Sequence, residues 1–396
     1  MLLATAFLRA VATGLVGVEL GLYLTSLSFQ PATVGFVLGA GLVGAAMAAL
    51  ASTLAADRIG RRRMLVALTL LAGAGCTVAA LASSVAVVTA ASFVGMLNGM
   101  GRDRGAALVL EQAMLPATTT HATRTRAFAW YNVCQDIGHA LGSLLAGMST
   151  WIAAAGWDAG IGAHRATMLT AALLMLAPLP LYLRLGARVE TFSGSAPVPR
   201  APLSAESRRI LMRISALFAV DGLAGGLLLT SLLSYFFFER FHASPATIGA
   251  LFFAARLLNA VSHLGAAWLA RRIGLVNTMV FTHVPSSLLL VTVAFAPSFP
   301  VAAVLFLLRE GLVEMDVPTR QSYVMAVVRP EEATVASGIT SLVRLASWAV
   351  GPTAAGMFMQ TTSLMTPLVV GAAMKIAYDV LLWRAFRSVR PPEETA

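Results

Sequence analysis

"PATVG" at residues 31–35 and "PATIG" at residues 245–249 decide the fold. Each opens a long apolar run, and each run ends on a short polar turn, "DRIG" at 57–60 and "RRIG" at 271–274. Both pairs lie 214 residues apart, so the beginning and the end of one segment recur together. "GSLLAG" at 142–147 is repeated as "GPTAAG" at 351–356, and Asp103 in "DRG" has a counterpart in Asp316 in "DVP". The chain reads as one unit present twice.

Composition says what kind of unit. Of 396 residues, 58% are hydrophobic and 12% charged, and mean hydropathy is +0.79. Soluble domains carry about twice that charge, so a soluble helical protein is excluded. Twelve apolar segments are long enough to span a bilayer. They lie near 10–28, 32–54, 64–84, 86–108, 127–150, 166–185, 210–238, 246–268, 276–296, 299–322, 334–359 and 363–384. The short alternating segments of a β-barrel are absent from the pattern. The opening "MLLATAFLRAVATGLVG" lacks a basic leader and reads as an uncleaved first helix.

A net charge of +10 could point to nucleic acid. With a cytoplasmic N-terminus, however, eighteen arginines fall in or beside cytoplasmic segments, against Arg165 and Arg240 outside. That asymmetry is the positive-inside rule. It predicts two cytoplasmic termini in a bacterial inner membrane and no nucleic-acid partner. Cys76 and Cys134 sit in apolar runs and read as packing residues. No HExxH pair, close cysteine pair or phosphate loop is present in the sequence, so no cofactor or metal is expected and an enzyme is disfavoured.

The expected fold is an all-α membrane protein of twelve transmembrane helices in two pseudo-symmetric six-helix bundles. The N-terminal bundle is 1–185, a cytoplasmic linker rich in Pro, Ser and Arg is 186–209, and the C-terminal bundle is 210–396. Parallel repeats of this kind place a solute site near the midplane.

"ADRIGRRRML" at 56–65, between the second and third segments, resembles the signature loop of the major facilitator superfamily. Length, duplication and the central linker share the resemblance, which therefore covers the whole chain. Gly60 suits a tight turn. The resemblance implies secondary transport of a small solute by a monomer. It also implies a gating latch around Asp57, with Arg58, Arg61 and Arg62 in the loop. Arg102, Asp103, Asp316 and Arg320 are expected to join it. Thr53 and Arg271 depart from the pattern. The family's fourth-span arginine is Gly95 here, while the duplicate position is Arg309. The family's antiporter motif is matched in part by "GHALGSLLAG", with Gly138, Gly142 and Gly147 but Ser143 for Pro, and by "WAVGPTAAG". Helix packing through small residues explains the same glycines.

Ionisable groups in apolar spans are costly and mark function. Asn132, Gln135, Asp136 and His139, with Ser143, recur on one helical face. Arg256, Asn259 and His263 form a second stripe, and Ser341, Arg344 and Trp348, with Ser337 and Thr340, a third. With Arg309 and Glu310 they are expected to line a hydrated cavity. Glu19 and Asp221 look isolated and are proton-carrier candidates, as is Glu314. Lys375 and Asp379, four apart, are expected to pair with each other. In "LLREGLVEMDVPTRQSY", 307–323, a continuous helix would put Arg309, Asp316 and Arg320 within about 40° of one another. Arg102, Asp103 and Arg104, on a helix, would point three ways, and Glu111 would lie at the membrane edge. Proton-coupled export is the first reading, import or uniport of an organic anion the second. A receptor or membrane enzyme is a remote third.

Overall fold

The computed structural model describes residues 1–115, 124–156, 160–186, 204–315 and 333–386. Among them are sixteen α-helices and no strand. α1 is Leu2–Ser26, α2 Pro31–Ile59, α3 Arg61–Leu81, α4 Val85–Val94, α5 Ala106–Met114 and α6 Arg124–Leu145. α7 is Met148–Ala154, α8 Ile161–Leu176, α9 Leu179–Leu183, α10 Ala205–Gly226 and α11 Thr230–Phe241. α12 is Pro245–Ile273, α13 Leu275–Ala294, α14 Phe299–Val313, α15 Ala333–Thr361 and α16 Thr366–Phe386.

The duplicated motifs are helix boundaries. Pro31 and Pro245 are the first residues of α2 and α12, where the missing N–H costs nothing and the fixed φ favours a helix. The far ends turn at Gly60 and Gly274, with φ of +98° and +85°. A side chain there would be strained, so a glycine stands in both copies.

Nine helical stretches among the described residues are long and apolar enough to cross a membrane, against twelve expected segments. The fourth segment is the instructive difference. It is not a continuous helix: α4 ends at Val94 and α5 begins at Ala106. "GMGRDRG" lies in the gap, which contains left-handed Met96 and Gly101, with φ of +52° and +65°. The tenth segment, α14, stops at Val313, with Glu314 as its cap. The eleventh, α15, is long, but Arg344, Pro352 and several hydroxyl residues dilute its apolar character.

Contacts divide the chain into two compact units. The first is Met1–Ala196, Leu229–Arg256 and Pro352–Thr361, and the second is Pro197–Leu228, Leu257–Gly351 and Thr362–Ala396.

In the first unit α1 is the axis, packed by α6, α8 and α11. Its glycines make this approach close. A Cβ at Gly14, Gly17 or Gly21 would strike the His139 carbonyl, Gly101 or the Ser231 carbonyl respectively. These three lie on one helical face. Gly138 and Gly142 of α6 sit equally tightly against Phe7 and Val11. The glycines of "GHALGSLLAG" are therefore packing residues. In the second unit α13 packs on α14 and α16, and α10 on α16. Leu211, Ile214, Phe218, Tyr378 and Leu382 build one core there.

Candidate transport site

The densest polar cluster of the first unit is built around Arg9. The helix begins at Leu2 rather than near residue 10, which places Arg9 inside it. Arg9 is paired with Asp103 at 3.0 Å and with Glu111, whose side chain is wholly buried. Two tyrosines close the ring. The Tyr182 hydroxyl accepts from Arg9 at 2.6 Å and donates to Glu111 at 2.5 Å. The Tyr131 hydroxyl accepts from Arg9 at 3.2 Å and donates to the other Glu111 oxygen at 2.8 Å. Thr5 donates to Glu111 at 2.6 Å. Glu111 is thus buried in the core of this unit. An arginine suits the centre because its planar fork offers five donors in fixed directions.

Asp103 reaches Arg9 because the chain is not helical there. Its backbone N–H donates to His139 Nε2 at 2.8 Å, and its carboxylate accepts the Gly105 N–H at 3.1 Å. The helical wheel that sent Arg102, Asp103 and Arg104 three ways does not apply. Asn98 holds the gap from within, donating to the Arg102 carbonyl at 2.7 Å and accepting from the Met100 N–H at 2.8 Å.

Bare carbonyls in a membrane interior need donors. Three come from the start of α11 and from α12. The Ser231 N–H donates to Gly99 O at 3.0 Å, and the Thr230 hydroxyl to Met100 O at 2.8 Å. Arg256 donates to Thr230 Oγ1 at 3.0 Å and to Met100 O at 3.4 Å. Ser231 also donates to the Gly17 carbonyl at 2.7 Å. Beside the gap lies a cavity of about 730 Å³ of empty space, part of it open to solvent, lined among others by Arg9, Thr13, Thr69, Met96, Asn98 and Asp103.

Glu19 is fully buried on α1, but it is not isolated. His164 of α8, 145 residues away in sequence, places Nδ1 2.6 Å from Glu19 Oε1.

The second unit has a five-member network. Asp221 of α10 is paired with Lys375 of α16 at 3.0 Å and with Arg344 of α15 at 3.2 Å. Asp379 is paired with His283 of α13, its Oδ1 3.0 Å from Nδ1. Lys375 therefore pairs with Asp221 and Asp379 with His283, not with each other. The expected i, i+4 pair loses to partners on neighbouring helices. The Arg344 guanidinium lies over Trp348 at 4.8 Å and Phe218 at 5.9 Å. Arg309 and Glu310 pair as neighbours, and Glu310 accepts from Asn259 at 2.9 Å.

Of the remaining expected residues, Gln135 and His139 are buried, Asp136 is half-buried and Asn132 and Ser341 are exposed. The side chains of His263 and Asp57 lie outside the described residues, as do Asp316 and Arg320. Around the expected latch, Arg58 is exposed. Arg61 donates to the Ala113 carbonyl at 3.3 Å and Arg62 to the Leu185 carbonyl at 3.5 Å, which are carbonyls at helix C-terminal ends.

One more arrangement joins the sequence repeats. In the first unit, a Cβ on Gly35 would strike the Pro352 carbonyl, and one on Gly356 the Pro31 carbonyl. Ala32 N–H donates to Gln360 Oε1 at 3.1 Å. A Cβ on Gly249 would come within 2.6 Å of the Ser143 carbonyl, and Ala246 N–H donates to Thr150 Oγ1 at 3.1 Å. "PATVG" thus packs on "GPTAAG", and "PATIG" on "GSLLAG": each repeat motif meets the partner motif of the other copy.

Buried charge networks on a duplicated set of apolar helices define a membrane transport protein. The sequence matches the Major Facilitator Superfamily over residues 2–352, and the chain belongs to that superfamily as an integral, multi-pass membrane transporter of small solutes. It is 23% identical to the uncharacterized membrane protein YJR124C of Saccharomyces cerevisiae, over 98% of this chain and 94% of that protein. Its fold is similar to that of the nucleoside transporter NupG, with a TM-score of 0.74 and 15% identity over 98% of both chains. It is similar also to the inward-open xylose transporter XylE from E. coli, with a TM-score of 0.75 and 11% identity over 99% and 98% of the two chains.

Proposed function

We propose that the protein is a proton-coupled exporter of a small organic solute in a bacterial inner membrane. It works by alternating access between residues 1–185 and 210–396, as a monomer with both termini cytoplasmic. The stripes on α6, α12 and α15, with Arg309 and Glu310, line the solute path. The Asp57 loop, Arg102, Asp103 and the Asp316–Arg320 region form the cytoplasmic latch.

The observation that carries this reading is the pair of buried carboxylate–histidine contacts, Glu19–His164 and Asp379–His283. Imidazole is the side chain that gains and loses a proton near neutral pH. A carboxylate beside it gives that proton a second seat. Each half of the duplicated chain has one such pair.

The experiment is a proteoliposome flux screen under an imposed pH gradient against a compound panel. Wild-type protein is expected to move at least one compound against the gradient. A Glu19→Gln variant is expected to drop ΔpH-driven flux to the empty-liposome background while retaining solute exchange at equal pH. Unchanged ΔpH-driven flux in that variant would remove Glu19 from the coupling path. Import or uniport of an organic anion is the second reading. It is favoured by Arg344, a guanidinium backed by Trp348 and suited to carboxylate or phosphate. Accumulation of anions alone in the screen selects it.

A further inference from the structure

We infer that Lys375, His283 and Asp379 form a polarised proton relay that drains Asp221 along α16. The inference rests on the proton-coupled reading above and names the path. All four groups are buried: Asp379 is 0% exposed, Asp221 and His283 2% each, and Lys375 8%.

The direction comes from donor counting. Lys375 Nζ lies 3.0 Å from Asp221 Oδ1 and 3.3 Å from His283 Nε2. An ammonium has only N–H bonds to offer. Nε2 must therefore be the acceptor, and the single ring proton of His283 is on Nδ1. That nitrogen faces Asp379 Oδ1 at 3.0 Å. Every donor in the chain then points the same way, from Lys375 through His283 to Asp379. The resting charges also balance, with Arg344 and Lys375 against Asp221 and Asp379.

The transfer is balanced in protons. The Lys375 N–H bond breaks and an Nε2–H bond forms. The Nδ1–H bond breaks and an O–H bond forms on Asp379. The freed amine lone pair of Lys375 takes the proton of a protonated Asp221, restoring ammonium and carboxylate. One proton has moved from Asp221 to Asp379, and His283 is left neutral with its proton on Nε2. A ring flip or tautomer exchange resets it. Asp379 lies four residues after Lys375, about 6 Å further along the helix axis. Its second oxygen, Oδ2, is buried and takes no hydrogen bond from the described residues, so Asp379 holds the arriving proton as a neutral acid.

Among the described residues, Lys375 and Asp379 are the charged groups that meet His283. On α16 its remaining neighbour is the Tyr378 ring, edge-on at 6.2 Å. On α14, the other helix packed against α13, Arg309 and Glu310 pair with each other. Arg344 of α15 is engaged by Asp221 Oδ2 at 3.2 Å. The relay thus starts from the carboxylate that holds Arg344, so proton arrival at Asp221 loosens the guanidinium stacked on Trp348. That joins proton movement to a solute-facing residue.

The test needs no known solute. Full-length protein in lipid nanodiscs, labelled with ¹⁵N-histidine, is expected to show His283 as a neutral Nδ1–H ring at neutral pH, its signals assigned by their loss in His283→Gln. Acidification is expected to raise a carboxylic-acid C=O infrared band that is absent in Asp379→Asn. After a pH jump that band should rise at least ~10²-fold more slowly in His283→Gln, the lower end of what a positioned proton-transfer group supplies. A doubly protonated or Nε2–H ring at neutral pH, a band that survives Asp379→Asn, or an unchanged rise in His283→Gln overturns the relay. If His283→Gln does not fold, the wild-type infrared band tested with the isosteric Asp379→Asn still decides. Intact spectra with no ΔpH-driven flux overturn the exporter reading and leave the relay standing. Driven flux with altered spectra does the reverse.

Discussion

An Arg9→Ala variant is expected to yield no monodisperse protein on solubilisation, an effect beyond the roughly 0.5–3 kcal/mol that most single substitutions cost a protein. Truncation removes a cation that serves both Asp103 and Glu111. Glu111 would remain wholly buried without its guanidinium partner, keeping among the described residues the hydroxyl donors Thr5, Tyr131 and Tyr182. Leaving a buried charge without its partner costs roughly 3–5 kcal/mol, a large part of the roughly 5–15 kcal/mol that holds a typical domain together. Arg9→Lys is expected to recover little. A compact ammonium cannot reach Asp103, Glu111 and both tyrosines at once, as a planar fork does. The triple change Arg9→Met, Asp103→Asn, Glu111→Gln is expected to recover more, because replacing a whole buried ion cluster is tolerated better than breaking it. Size-exclusion profiles and thermal melting of the solubilised variants decide. Wild-type melting of Arg9→Ala would mean that the cluster contributes little to folding.

Arg9 also marks where reading the sequence stops. Hydropathy placed the first span near residue 10, and a boundary error of a few residues put the central cation of the bundle outside it. Spans, duplication and the turns at Gly60 and Gly274 were legible because apolar length, repeated motifs and positive φ are local properties. The gap after α4 carries a local signal of its own. Gly95, Gly99, Gly101 and Gly105 fall within eleven residues, a density that a helix resists because glycine is its costliest residue after proline. Reading that stretch as a helix set Asp103 on the wrong vector.

Pairing was legible only in kind. Ionisable groups in apolar spans are legible as costly, but Glu19 and Asp221 look isolated in sequence because their partners come from tertiary packing. His164 lies 145 residues from Glu19, and His283 lies 96 from Asp379. The periodicity that linked Lys375 to Asp379 describes one helix alone. A neighbouring helix that brings Asp221 to 3.0 Å of Lys375 overrides it. The repeat motifs were legible as repeats, while their crossed packing was not, since like motifs suggest like positions and say nothing of contact.

That crossed packing gives the second large effect. Gly35→Leu and Gly249→Leu are each expected to leave a folded protein whose first unit no longer closes where α2 meets Pro352–Thr361 and where α12 meets α6. In the closed arrangement each new side chain meets a backbone carbonyl, of Pro352 or of Ser143, and a carbonyl cannot rotate away as a side-chain end can. Overpacking of this kind costs about 1–3 kcal/mol, too little to unfold the chain. The cost falls on the closed arrangement alone, so the same energy shifts the balance against closure by roughly 5- to 150-fold. With the cytoplasmic N-terminus proposed above, both contacts lie at the outer end. A cysteine at Gln360, in a background with Cys76 and Cys134 replaced, should then be labelled faster by an impermeant maleimide in either leucine variant. Solute flux should fall toward background in both, because the proposed alternating access requires this end to close in every cycle. The pseudo-symmetry makes the expectation sharp: the two substitutions, 214 positions apart, should act alike. Faster labelling in one and not the other would mean that the two crossed contacts are not equivalent gates, and unchanged labelling in both would mean that they are packing contacts that stay in place throughout the cycle.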